Sequence, residues 1–301
     1  MHMSVQMKKM EGKLRSVDLI VEVHDARIPI TGRNSLFFTQ LYAIRPHILI
    51  FNKMDLINLK KYRKPIEEYY REKGVENILW TDCKTRLSSA IKNVQSTMLE
   101  CLRNSPRFNR TVKTEYQIMV VGIPNVGKSS LINSLRLRNL GNHKQAVAEG
   151  ARPGVTVRVQ NRVRILDRPP IYVLDTPGIL APYGRQIDDA MKLSICGLIL
   201  ESTINPLYVA DYLLYWLNKT GDEIYANQLN VSSGPTDHIQ TFLLDVCRAN
   251  DFRIQCRIPG RGTEERWDID KAANFFIDSF RKGKFQDQCL DKDLLQPYLV
   301  K

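Results

Sequence analysis

Gly122-Ile123-Pro124-Asn125-Val126-Gly127-Lys128-Ser129-Ser130 is the stretch on which the fold turns. It follows the apolar run 117–121 and opens the helical pattern of residues 129–138. A G-x-x-x-x-G-K-S sequence between a strand and a helix makes a phosphate cradle. Backbone N–H groups and the helix N-terminus face the anion, and glycine lets the chain come close to it. In that cradle Lys128 neutralises the β- and γ-phosphates and Ser129 offers its hydroxyl to Mg²⁺. Asn125 either simply shapes the loop or, as in potassium-stimulated GTPases, ligates K⁺ beside the phosphates, supplying charge that an arginine finger otherwise brings.

Upstream of the cradle stands Asn52-Lys53-Met54-Asp55, and downstream stands Asp175-Thr176-Pro177-Gly178. The first has the N-K-x-D form that reads guanine. Asp55 can accept from N1–H and the exocyclic amine, a pattern that adenine does not offer. Asn52 is expected at the opposite edge of the base, and the stem of Lys53 over its face. Thr81-Asp82-Cys83-Lys84 occupies the place of a short loop whose backbone, here that of Cys83, reads guanine O6. Asp175 is expected to reach Mg²⁺ through water, with the Gly178 amide sensing the γ-phosphate. Thr156, in Arg152-Pro153-Gly154-Val155-Thr156, lies where a switch threonine would complete the Mg²⁺ shell with GTP bound; otherwise it is a turn threonine. GTP rather than ATP is the nucleotide these residues select. Ile179 stands where Ras-like enzymes carry a water-orienting Gln, which implies a low intrinsic hydrolysis rate.

The order of these motifs is inverted. An ordinary Ras-like domain begins with the phosphate loop and ends with N-K-x-D; here the base motif comes first. The expected fold is therefore α/β: a P-loop GTPase domain with circularly permuted motif order, residues 1–182. A small, mainly helical C-terminal domain, residues 183–301, is expected to follow. Short β-rich runs at 17–23, 47–51, 77–80, 117–121, 157–166 and 171–174 alternate with helical patterns at 59–73, 87–102 and 129–138. That alternation predicts a mostly parallel sheet covered on both faces. Beyond residue 183 the helices expected are 187–200, 206–217, 236–249 and 269–281, with Asp268 as an N-cap. Phe275, Phe276 and Phe280 fall at helical spacing and read as a core stripe rather than a base-stacking surface.

At 301 residues the chain is long enough for about two domains. Its formal charge of +12 is compatible with a polyanionic partner or with a merely basic surface. The six cysteines include no C-x-x-C pair, which argues against zinc and a disulfide framework and for a reducing compartment. No apolar run has the length of a membrane span. Basic clusters at Arg103, Arg107, Arg110 and Lys113, and at Arg152, Arg158, Arg162, Arg164 and Arg168, are either RNA phosphate contacts or a solvated face. Arg253, Arg257, Arg261, Arg281, Lys282 and Lys284 form a possible third surface.

Taken together, the motifs at 52–55, 81–84, 122–130, 156 and 175–178 resemble the circularly permuted YlqF/RbgA-type ribosome-assembly GTPases. Val21-Glu22-Val23-His24-Asp25-Ala26-Arg27-Ile28-Pro29 matches that family's D-A-R-x-P segment. The whole chain, including Ala210-Asp211-Tyr212-Leu213-Leu214-Tyr215, is most similar to the animal mitochondrial branch. The resemblance implies a monomeric GTP- and Mg²⁺-dependent factor, helped by K⁺, acting on the large ribosomal subunit and its rRNA. It implies the mitochondrial matrix, with peripheral inner-membrane association an option. The family opens with W-F-P-G-H-M, and Met1-His2-Met3 aligns with its last three residues, so a targeting sequence is expected upstream. His2 then aligns with the histidine that positions the attacking water; His24 is the alternative if the fold brings it near the γ-phosphate. Asp25 and Arg27 form either a structural ion pair or turn, or a partner contact. The residues leave two functions open: a GTPase activated by the ribosomal particle, or a GTP-gated RNA-binding factor or translation regulator for which hydrolysis is not essential.

Overall fold

A computed structural model of the chain describes residues 16–33, 45–85, 87–107, 114–141, 162–174, 186–200, 204–232, 234–258, 262–285 and 287–299. The chain divides into two compact units, one comprising Met1–Arg185 with Cys289–Lys301, the other Gln186–Gln288.

The first unit is built on a six-stranded sheet: β1 (Leu19–Asp25), β2 (His47–Asn52), β3 (Ile78–Trp80), β4 (Tyr116–Val121), β5 (Arg162–Leu166) and β6 (Ile171–Leu174). The spatial order is β3-β2-β1-β4-β6-β5. All neighbouring pairs are parallel except β5 with β6, so the expected mostly parallel sheet carries one antiparallel edge strand. Residues 157–161 of the expected fifth strand lie outside the described residues. Every residue of β1 is buried, as are all of β2 and β4 but their first residues. Strands covered on both faces favour apolar side chains, which is why these segments read as Val/Ile/Leu-rich runs, with Glu22, His24 and Asp25 the buried polar exceptions on β1.

Among the described residues three helices occupy the connections between strands: α1 (Leu59–Arg71), α2 (Ser89–Asn104) and α3 (Lys128–Leu140). Asn58 caps α1 by accepting from the Lys61 N–H at 3.2 Å. One face of α1 buries Tyr62, Ile66 and Tyr70 against the sheet. There Phe51 lies 4.9 Å from Trp80 and 5.5 Å from Tyr70, centroid to centroid.

The end of the chain departs from expectation. Residues 289–299 belong to the first unit, not to a C-terminal domain running to residue 301. Their helix, α9 (Lys292–Leu299), packs on α1, and Cys289 and Leu295 enter the cluster around Phe51 and Tyr70. A contact between positions this far apart in sequence leaves no trace in local pattern.

The second unit contains α4 (Ile187–Ile195), α5 (Pro206–Lys219), α6 (Ile224–Gln228), α7 (Ile239–Asn250) and α8 (Ile269–Arg281). Asp268 caps α8 as expected, accepting from the Lys271 N–H at 2.9 Å. Phe276 and Phe280 are fully buried, and Phe276 stacks edge-on with Phe242 at 4.7 Å. Phe275 is half-buried beside Phe252 at 5.3 Å, so the stripe is core. The unit also holds an antiparallel hairpin that the helical reading omitted, β7 (Arg253–Ile258) with β8 (Gly262–Trp267). Its strands carry Arg, Gln and Glu on exposed positions, so the usual apolar alternation is faint. The Pro259-Gly260-Arg261-Gly262 stretch was the available turn signal.

Candidate functional site

Parallel strands bring their C-terminal ends to one edge, the place where open α/β sheets bind ligands. In this sheet that edge collects the segments after β1, β2, β3 and β4. Because β1 lies between β2 and β4, the base motif and the phosphate loop flank the end of β1. The permuted order thus yields a single assembled site.

The phosphate loop connects Val121 to Lys128, the first residue of α3. A Cβ on Gly122 would lie 2.3 Å from the Val23 carbonyl oxygen, and its φ is +144°. A Cβ on Gly127, at φ +102°, would lie 2.1 Å from Asn52 Nδ2. Both positions therefore demand glycine for space as well as for backbone conformation. Asn125 adopts the left-handed conformation at φ +60°. The Lys128 ammonium donates to the Ile123 carbonyl at 2.7 Å, folded back over the loop. Ser129 and Ser130 are half-buried in the first turn of α3. A glycine-walled loop, a helix N-terminus, an ammonium and a hydroxyl fit a nucleotide phosphate with a hard, oxygen-seeking cation such as Mg²⁺.

Asn52 joins the two sides of the site. Its Nδ2 donates to the Val126 carbonyl in the phosphate loop at 2.8 Å. Its Oδ1 accepts from the Thr81 hydroxyl and the Cys83 N–H, each at 3.1 Å. With 3% of its surface exposed, Asn52 ties three loops together, a duty beyond the base contact expected from sequence. The Cys83 amide, expected to read O6, is given to Asn52 in this arrangement. The neighbouring Lys84 N–H donates to the Asp82 carboxylate at 3.0 Å. Asp55 sits in a one-turn helix, Met54–Leu56, where Lys84 Nζ reaches its carboxylate at 3.3 Å.

Lys53 stands in the left-handed region at φ 60°. Its ammonium donates at 2.7 Å to Asp25, whose carboxylate also takes two guanidinium bonds from Arg27, at 2.9 and 2.7 Å. Asp25 and Arg27 are each 1% exposed. Burial pushes the Asp25 carboxyl up, but Arg27 and Lys53 outweigh it and hold the group below the ordinary carboxylate range. The D-A-R segment is thus a buried ion pair that also orients a base-motif lysine. The clue in the sequence was an Asp and an Arg flanking alanine at the end of an apolar strand.

His24, the alternative for positioning the attacking water, is buried on β1 and pairs with Glu22 at 2.6 Å. His2, Thr156, Asp175, Gly178 and Ile179 lie outside the described residues, as do Arg110, Lys113, Arg152, Arg158 and Arg261. Several other basic residues assigned to RNA clusters are engaged within the chain. Arg107 lies 4.2 Å over the Tyr116 ring and donates to the Glu115 carbonyl at 2.5 Å. Arg162 pairs with Glu115, Arg164 with Asp167, and Arg253 with both Asp251 and Glu265. Arg281 donates to the Ser194 and Ile195 carbonyls, closing the C-terminus of α4. Arg103, Arg168, Arg257, Lys282 and Lys284 are exposed.

Residues 117–231 match the family described as "50S ribosome-binding GTPase". Over 297 residues the chain is 40% identical to mitochondrial ribosome-associated GTPase 1 of Mus musculus, covering 98% of this chain and 89% of that one. Mitochondrial GTPase 1 of Aedes aegypti is 38% identical, covering 97% of this chain and 92% of the relative. Among solved structures, GDP-bound TM YlqF superposes with a TM-score of 0.55 at 22% identity, covering 92% of this chain and 95% of that one. That likeness extends the fold over both units. With the sheet order, the glycine-walled phosphate loop and the base motif brought to one edge, near-full-length identity of this level places the chain in the family of the mitochondrial ribosome-associated GTPase 1, the circularly permuted P-loop GTPases.

Proposed function

We propose that this chain uses GTP hydrolysis in assembly of the large subunit of the mitochondrial ribosome, and that the ribosomal particle activates it. The observation that carries the reading is the assembled guanine-nucleotide site in a chain that matches mitochondrial ribosome-associated relatives over 98% of its length. Binding begins at the phosphate loop, where Gly122 and Gly127 admit the phosphates and the α3 N-terminus and Lys128 balance their charge. Asp55 reads the base, with Asn52 holding its loop against the phosphate loop.

Bound Mg²⁺ would supply charge neutralisation between the β- and γ-phosphates, held through Ser129, with Thr156 and Asp175 as the further residues of its shell. Asn125 is the residue proposed to hold K⁺. Gly178 is proposed to report the γ-phosphate, so that the switch segments exist in GTP- and GDP-dependent states. Particle binding then completes the catalytic arrangement, and hydrolysis releases the factor. The protein acts as a monomer in the mitochondrial matrix; among the described residues no helix is long and apolar enough to cross a membrane. Contact with rRNA is assigned to the exposed basic residues, Arg103 and Arg168 among them.

Steady-state GTP hydrolysis in KCl, with and without purified mitochondrial large subunits, tests this reading. Stimulation of at least about tenfold by the particle, abolished by Thr156→Ala, is expected. Subunit binding without stimulation would replace it with the GTP-gated RNA-binding factor. Replacing KCl by NaCl examines the potassium role separately, with slower turnover expected.

A further inference from the structure

The C-terminal segment is bonded to the turn that follows Asp25. Asp291 is fully buried, and its carboxylate accepts three hydrogen bonds from residues 30 and 31. The Ile30 and Thr31 N–H groups donate to Oδ2 at 2.8 Å each, and the Thr31 hydroxyl donates to Oδ1 at 2.6 Å. One residue earlier, the Leu290 N–H donates to the Arg27 carbonyl at 2.7 Å. These four bonds grip the segment from Arg27 to Thr31 at both ends. Tyr70 adds a fifth, its hydroxyl donating to the Pro29 carbonyl.

The gripped segment is the one that positions the base motif. Arg27 clamps Asp25, Asp25 takes the Lys53 ammonium, and the Ala26 N–H donates to the Asn52 carbonyl at 2.9 Å. A carboxylate that accepts two adjacent backbone N–H groups and a hydroxyl fixes a turn firmly, since each charged acceptor bond exceeds a neutral one. A buried charge so placed also holds a single geometry, because any slip leaves it unsatisfied. The phosphate loop, by contrast, is walled by Val23 and Asn52.

We propose that the C-terminal segment is a positioning element for guanine recognition, with Asp291 acting through the Arg27–Thr31 turn and Asp25 on Lys53. The inference rests on guanine-nucleotide binding, a property of the family, and not on the ribosomal partner. It goes beyond the proposed function by giving the last residues of the chain a part in base affinity. Asp291 is a positioning residue: it does not reach the nucleotide and acts only through the turn it fixes.

Three full-length variants test it: Asp291→Ala, Lys53→Ala and the double variant. Each is titrated with GDP and, separately, with inorganic pyrophosphate, which reports the phosphate loop without a base. Asp291→Ala is expected to weaken GDP binding about five- to tenfold and to leave pyrophosphate binding unchanged. On the Lys53→Ala background the same substitution is expected to cost less than about twofold, because the lysine it positions is gone. An undiminished loss on that background overturns the proposal. So does an equal loss for pyrophosphate, or a lowered melting temperature with unchanged GDP affinity. Should Asp291→Ala fail to fold, Thr31→Val removes only the hydroxyl bond and keeps the buried carboxylate and both N–H donors. It is expected to show the same pattern at about two- to threefold, and a GDP affinity equal to that of the unaltered protein would overturn the proposal equally.

Discussion

The two sides of the nucleotide site are built from different materials. The phosphate side is mostly backbone: two glycines without side chains to fill the space, and the N-terminus of α3, to which Lys128 and Ser129 add an ammonium and a hydroxyl. The base side is side chains drawn from four separate stretches, Asp25 to Thr31, Asn52 to Asp55, Thr81 to Lys84 and the end of the chain around Asp291. A backbone cradle tolerates almost no change at its glycines. A side-chain network spreads its energy over many groups, each removable at a graded cost. The site therefore has one brittle half and one adjustable half, joined by Asn52.

The brittle half gives the largest effect. Gly127→Ala sets a methyl 2.1 Å from the Asn52 amide and forces φ +102° on a residue with a side chain. A loss of at least ~100-fold in GDP affinity is expected by titration, equivalent to ~2.7 kcal/mol. A small loss would mean that the loop yields, and that the contrast between the halves is overdrawn.

In the adjustable half, Asp25→Ala leaves the Arg27 charge buried without its carboxylate, which should lower unfolding stability by about 3–5 kcal/mol in denaturant titration. The variant also carries a pH signature. Because the folded carboxyl is held below its ordinary value, the unfolded chain binds the proton first as the pH falls. The stability from Asp25 is thus fully present above about pH 4 and drains away progressively below it. Asp25→Ala should flatten the dependence of stability on pH in that acid range. Its unaltered persistence would show that Asp25 is not the group responsible. Lys84→Ala sits at the small end: the Lys84–Asp55 pair is exposed, and GDP affinity is expected to stay within about threefold.

The same contrast explains what could be read from the chain alone. The phosphate loop, the base motif and the buried strands β1, β2 and β4 announce themselves because their physics is local: glycines at fixed offsets, or mostly apolar side chains along a doubly covered strand. Asp268 was legible as a cap for the same reason. Asn52 was read as a base contact, yet its bonds to Val126, Thr81 and Cys83 are tertiary, and no local pattern contains them. For Asp25 and Arg27 the sequence leaves open an ion pair or turn against a partner contact, since a second partner of Asp25, Lys53, lies just beyond the end of the neighbouring strand. The embrace of residues 27–31 by 290–291 is more remote still. The β7–β8 hairpin escaped for the opposite reason: mostly exposed strands place no demand on their side chains strong enough to leave a pattern.

The reading that the permuted chain still forms one guanine site meets its most direct test at Asp55. Its carboxylate is to accept from guanine N1–H and the 2-amino group; xanthine carries a carbonyl in place of that amine, which an amide N–H₂ would satisfy. Competitive binding of GDP and xanthosine diphosphate to Asp55→Asn is therefore expected to reverse the preference of the unaltered protein, by about tenfold or more in each direction. A variant that still prefers GDP undiminished would show that Asp55 does not read the base, and that the base motif and phosphate loop do not serve one nucleotide.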